Sequence, residues 1–223
     1  MINAGVGMST DPNSYNAGRQ AAISALKDLT GKPKMAVLGV DSLTRKKYKY
    51  RDVLKGVISE IGKEVPLIGS TVNGLVVNNR IALRSVGLML VGGDIKVEKS
   101  FRYLKSRINY EKIARDIINL KNSIEKKQTQ ITLLFQDGMK FSQKMIDQQK
   151  SLNSRMVSMM TKLVKFFFNK KLRSFAEKGL GTPTCQELVQ ELYNLGWNGP
   201  ILGNVASNIR DYDSVEFYNN EAV

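Results

Sequence analysis

Apolar residues in this chain recur at two spacings, and each spacing predicts an element. Leu54, Ile58 and Ile61 stand four and three residues apart, which places them on one face of a helix. Leu188, Leu192 and Leu195 repeat that spacing 134 residues later. The first stretch runs into Gly62, Pro66 and the segment Leu67-Ile68-Gly69-Ser70-Thr71-Val72-Asn73-Gly74. The second runs into Gly196, Pro200 and Ile201-Leu202-Gly203-Asn204-Val205-Ala206-Ser207-Asn208. Both therefore predict a helix stopped by glycine and followed by a short apolar strand that itself carries glycine.

Other elements fall into the same frame. Residues 35–42 and 131–138 both predict a buried strand ending in polar residues, but their offset is 96 rather than 134. The difference predicts a 38-residue insertion in the second copy. Residues 17–29 predict a helix with Ala21, Ala22, Ala25, Leu26 and Leu29 on one side, stopped at Gly31 and Pro33. Residues 109–124, with Ile113, Ile117, Leu120 and Ile124, predict its counterpart. Residues 75–77 and 215–218 precede the pairs Asn78-Asn79 and Asn219-Asn220, and asparagine tolerates the left-handed backbone of a hairpin turn. The first hairpin returns over 81–83 and leads into a strand over 86–91. The second returns over only Glu221-Ala222-Val223, which predicts an edge at Val223 that another chain or a following domain completes. The expected fold class is α/β: duplicated helix-strand-helix-strand-hairpin units, 1–98 and 99–223, forming one domain of mixed sheets with flanking helices.

Charge sharpens the picture of the insertion. The chain of 223 residues carries a net charge of +14, yet residues 140–178 alone hold ten Lys or Arg against two acids, while 179–223 hold one against six. The basic character thus belongs to a segment, the predicted basic helical insertion, more than to the fold. Within it Met156, Met159, Met160, Leu163 and Phe167 follow helical spacing between lysines. That pattern suits a helix packed on the sheet or a basic amphipathic helix over 156–173 docking on a partner protein. No aromatic-basic module of a nucleic-acid binder is present, and no apolar run reaches the 18 or so residues of a membrane span, so both partners are disfavoured.

Histidine is absent. This removes His-based triads, histidine acid–base catalysis and most zinc sites, so no metal and no cofactor are expected. Cys185 is the only cysteine, which fits a reducing, cytoplasmic compartment. It follows Gly-Thr-Pro-Thr near a helix start, but with no histidine to deprotonate it, packing is the simpler reading. Asp41 and Asp137 occupy corresponding strand ends. They form the one pair on which a small hydrolase or transferase could be built, but paired-carboxylate chemistry needs a short separation that sequence correspondence does not supply.

Residues Val6-Gly7-Met8-Ser9 before an alanine-rich helix, the strand over 35–42, Val65-Pro66-Leu67-Ile68-Gly69-Ser70-Thr71-Val72-Asn73-Gly74 and the hairpin ending at Gly92-Gly93 together resemble the N-terminal part of FIST domains. Residues 200–208 and 217–223 are similar to that family's later glycine-bearing strand and hairpin. The resemblance covers most of 1–135 and 184–223 and leaves 139–183 unmatched. It implies a non-catalytic intracellular sensory module that binds a small ligand, an amino acid or related metabolite, and passes a signal to a partner. The chain departs from the family in stopping where a FIST protein continues into its C-terminal domain, and in carrying no recognisable output domain.

The residue types agree with such a role. Strands that end in short hydroxyl, amide and glycine residues expose backbone N–H groups where open α/β sheets bind ligands. The candidate ligand-binding residues are Ser9, Thr10, Asp41, Ser42, Gly69, Ser70, Thr71, Asn73, Gly203, Asn204 and Ser207. Each could equally serve close packing, a turn or a helix cap.

Overall fold

Two parallel strands cannot be joined by a tight turn, so each parallel pair in this protein is bridged by a helix. A computed structural model describes residues 1–42, 48–77, 80–97, 110–123, 131–136, 185–205, 216–219 and 221–222. Among these, the chain runs β1 (Ile2–Ser9), α1 (Ser14–Asp28), β2 (Pro33–Asp41), α2 (Tyr50–Ile61), β3 (Leu67–Val72), β4 (Leu75–Val77), β5 (Arg80–Ala82) and β6 (Val86–Gly93). It continues with α3 (Tyr110–Asn122), β7 (Thr132–Gln136), α4 (Cys185–Asn194), β8 (Ile201–Val205), β9 (Glu216–Tyr218) and β10 (Glu221–Ala222). Helices and mixed sheets make this an α/β fold. The basic segment 140–178, expected as an insertion, with its amphipathic stretch 156–173, lies outside the described residues.

The main sheet has the order β1-β6-β2-β3-β9-β10, parallel only between β2 and β3. Its residues alternate as a sheet with one covered face should: Ala36, Leu38 and Val40 of β2 are buried, and Met35, Val37 and Gly39 between them are half-buried. Leu67 of β3 and Val86, Leu88 and Leu90 of β6 extend the buried face, and α1 and α2 cover it.

Small residues set how closely those helices lie. The buried side of α1 is Ala17, Gly18, Ala21, Ala22 and Ala25. A Cβ added to Gly5 or Gly7 of β1 would stand 2.0 or 2.1 Å from the carbonyl oxygens of Ala25 and Ala21, so α1 rests its backbone on β1. The two helices meet in the same way, Gly18 against the Val53 carbonyl and Gly56 against that of Tyr15, each with 2.1 Å available to a Cβ. Arg19 and Glu60 tie the outside of this contact at 2.7 Å.

The pair β7–β8 is parallel and shares the register of β2–β3 at the offsets read from the sequence. Ala36 faces Leu67, and Thr132 faces Ile201. Ala36 N–H donates to Pro66 O at 2.9 Å and Thr132 N–H to Pro200 O at 3.1 Å. The glycines after the bridging helices, Gly62 and Gly196, have φ of 87° and 85°. Leu188 and Leu192 pack with Ile113, Ala114, Ile117 and Trp197 in a second, smaller core between α3 and α4. Gln190 stands where α2 has Gly56, so the close backbone contact of the first helix pair has no counterpart there.

The C-terminal hairpin departs from the expected arrangement. The sequence places it in the second unit, 99–223. In the structure β9 pairs antiparallel with β3, Gly69 opposite Phe217, while β10, the short return strand, is the last strand of the sheet. The attraction is physical: Phe217 is 2% exposed and meets the Tyr50 ring edge-on at 6.2 Å between centroids. Asn219, at φ 49°, donates its N–H to Leu67 O at 2.7 Å and accepts from Leu67 N–H through Oδ1 at 3.2 Å. Val223 lies outside the described residues, as do Asn78 and Asn79, whose flanking strands β4 and β5 pair as a hairpin.

Two substitutions test this packing. Gly56→Ala should lower stability by about 1–3 kcal/mol in urea unfolding, because its methyl must push backbone apart. Phe217→Ala should cost about 3–5 kcal/mol and loosen the hairpin, read as faster amide exchange at Leu67 and Gly69 than in the rest of the sheet.

Candidate functional site

The register of the main sheet sets Ser9, Val86, Val40 and Thr71 in one row across β1, β6, β2 and β3, at the carboxyl ends of the three strands that point that way. Three strand spacings separate Ser9 from Thr71, about 14 Å, so one small group cannot touch both. Polar groups gather most densely between them, where Asp41 and Ser42 leave β2 and the chain re-enters the sheet through Arg84 and Ser85.

Asp41 has no exposed surface, and its Oδ2 accepts the Arg84 backbone N–H at 2.5 Å. Its own N–H donates to Ser85 O at 2.9 Å. Ser42, 1% exposed, directs both its N–H and its hydroxyl to Val72 O, at 2.9 and 3.2 Å. The Tyr48 hydroxyl lies 3.0 Å from both the Asp11 and the Arg84 carbonyl oxygens and can donate to either. Burial raises its pKa above the ordinary tyrosine value; Arg84 opposes the shift, and Asp11 and Asp41 add to it. Ser9 donates to Gln20 Oε1 at 2.8 Å and accepts from Asp11 N–H, while Gln20 Nε2 donates to Asp11 Oδ2 at 2.8 Å. Asn13, just beyond, caps α1 by accepting Asn16 N–H at 3.0 Å.

The candidate residues thus divide. Ser9, Asp41, Ser42, Ser70 and Thr71 are buried in this end of the sheet, and Thr10 and Asn73 are exposed beside it. Gly69 does not end its strand: it lies inside β3, where a Cβ would meet Leu38 O at 2.0 Å, so close packing explains it. Gly203 occupies the same place in β8 and is exposed, in a sheet separate from that of Gly69. Asn204 belongs to β8 as well, and Ser207 lies outside the described residues.

Asp137 also lies outside the described residues, and Cys185 opens α4. Asp41 is engaged by backbone in the manner of a structural carboxylate. Among the described residues no group of three His, Cys, Asp or Glu could hold a metal ion, and no helix is long and apolar enough to cross a membrane.

Sequence reading missed Tyr48, Arg84, Ser85, Asp11 and Gln20. Asp11-Pro12-Asn13 carried a usable signal for a helix start. Nothing marked Arg84, whose φ of 51° puts a long side chain in a backbone region that favours glycine and asparagine. No family model, curated protein or solved structure matches this chain.

Tyr48→Phe removes the single O–H that Asp11 O and Arg84 O share and should cost about 1–3 kcal/mol at neutral pH. The wild type holds the tyrosine proton more tightly folded than unfolded. Its extra stability is therefore complete below the ordinary tyrosine pKa of 10.0 and is lost as pH rises through the higher folded value. Urea unfolding at pH 8 and pH 11 should show the gap between wild type and Tyr48→Phe narrowing at the higher pH.

Proposed function

We propose that the chain is a non-catalytic cytoplasmic sensory module, which binds a small ligand such as an amino acid or related metabolite and passes the signal to a partner protein. The resemblance of its glycine-bearing strands and hairpin to FIST domains supports this reading. The observation that carries it is the gathering of Asp41, Ser42, Tyr48, Arg84 and Ser85 at the carboxyl end of β2, beside the parallel strand β3. Ligands of open α/β sheets are held outside the carboxyl ends of strands, by a few placed polar groups on an otherwise apolar scaffold. Here the scaffold is the core beneath α1 and α2, and the polar groups are fixed by backbone hydrogen bonds. A site so held can recognise a ligand without first paying to order itself.

A transition from free to bound would be transmitted through the segments that frame the site. Tyr48 joins the start of α1, through Asp11 O, to the entry of β6, through Arg84 O. Displacing that hydroxyl would alter how α1 and β6 meet, and α1 is the helix that rests on β1 and α2. Thermal-shift screening against amino acids and small metabolites tests the reading. A ligand at a hundredfold excess over its Kd should add about 2.7 kcal/mol of stability. No stabilisation across such a set would overturn it.

A further inference from the structure

Two parts of this fold match a pairing that the chain makes elsewhere, yet they do not pair with each other. The strand β8 is the counterpart of β3: Ile201-Leu202-Gly203 follows Leu67-Ile68-Gly69, and each strand lies parallel to its neighbour in the same register. Both edges of β3 are taken, one by β2 and the other by β9. Among the described residues β8 pairs with β7 alone, and its Leu202 and Gly203 are exposed. Pro200 O accepts from Thr132 on the β7 side, so strand alternation turns the backbone N–H and C=O of Ile201 and Gly203 to the open edge, as Leu67 turns its own to Asn219. The hairpin β4–β5 is in turn the counterpart of β9–β10, since Leu75-Val76-Val77 runs into Asn78-Asn79 as Glu216-Phe217-Tyr218 runs into Asn219-Asn220. Phe217 stands across from Ala222 and is buried opposite Gly69, whereas Val76 stands across from Ile81 and the two are 71% and 79% exposed. Leu75, on the other face of the hairpin, lies against Gly39 and Gly87 of the main sheet.

We propose that the hairpin β4–β5 of one molecule adds antiparallel to the β8 edge of a second copy of this chain, with Val76 opposite Gly203 and Val77 opposite Leu202. The template is the pairing of β9 on β3, where Phe217 lies opposite Gly69 and Tyr218 opposite Ile68. The occupant is a second copy because every molecule carries both halves, and the chain itself shows which kind of hairpin such an edge takes. Main-chain hydrogen bonds join the strands, and the Val76–Ile81 pair leaves water for the face of β8 that carries Ile201, which packs on the small core between α3 and α4. An open strand edge and an exposed β-branched pair are the two features that sheet proteins otherwise guard against self-association. Each copy gives one hairpin and takes one, so a two-fold pair makes the contact twice. The strands are short beside a standard interface of about 800 Å² per partner, so the association is weak and follows concentration.

Sedimentation velocity on the whole chain tests this. Wild type should pass from monomer toward dimer as concentration rises. Val76→Lys places a charge on the donor face at an exposed position, and Gly203→Pro removes an edge N–H while leaving the ladder to β7 in place. Each should keep the wild-type far-UV circular dichroism and weaken self-association about tenfold or more. Ile81→Lys, at the other exposed position of the pair, should match Val76→Lys and tests the donor half without touching β8. Mixing identifies the contact: Val76→Lys retains an intact β8 edge and Gly203→Pro an intact hairpin, so the mixture should form more dimer than either variant alone. A wild type that stays monomeric at every concentration overturns the proposal. So does association that both lysine variants leave unchanged, or a folded pair of variants that fails to complement.

Discussion

The contact on which the rest of the structure depends is backbone against backbone, where α1 lies on β1 and crosses α2. Gly5, Gly7, Gly18 and Gly56 remove the side chains that would hold these elements apart, and the alanines of α1 fill the remaining thin gap. Such packing has no slack, because a methyl added at any of the four glycines would meet a carbonyl oxygen. It also fixes positions beyond itself. With α1 seated, its entry at Asp11 and Asn13 falls beside the end of β2, and with α2 seated, Tyr48 is brought within reach of both Asp11 and Arg84.

The polar end of the sheet is rigid as a result. Asp41 accepts from Arg84 N–H and donates its own N–H to Ser85 O, which ties the end of β2 to the entry of β6, and Ser42 bonds Val72 O of β3. Against that background Arg84 stands apart, because it carries backbone strain and an unpaired buried donor together. Strain of this kind persists where surrounding structure over-determines it, and it concentrates where proteins bind.

The repeated phrase in the sequence led to part of this and misdirected another part. The offsets of 96 and 134 reappear as the shared register of β2–β3 and β7–β8, since a strand's alternation and a helix's end glycine are local properties. Helices α1 to α4 were likewise legible from apolar spacing. The repeat also placed the last hairpin in the second unit, whereas β9 pairs with β3, because a hairpin's sequence does not reveal which edge it joins. Nor does a glycine in a run of residues reveal whether it faces a ligand or a neighbouring strand, and Gly69 lies against Leu38 O inside β3.

Local chemistry, then, determined the elements, the register signals, the absence of histidine chemistry and the segregation of positive charge. Tertiary packing decided which residues gather at the polar end of the sheet. Phe217 comes to lie opposite Gly69 and edge-on to Tyr50 only because the folded chain brings β3, β9 and α2 together. Arg84, Tyr48 and Asp11 meet only because α1, α2 and β6 converge there. Their separations in the chain, 36 and 37 residues from Tyr48, leave no periodic trace, so burial and hydrogen bonding in three dimensions had to reveal them.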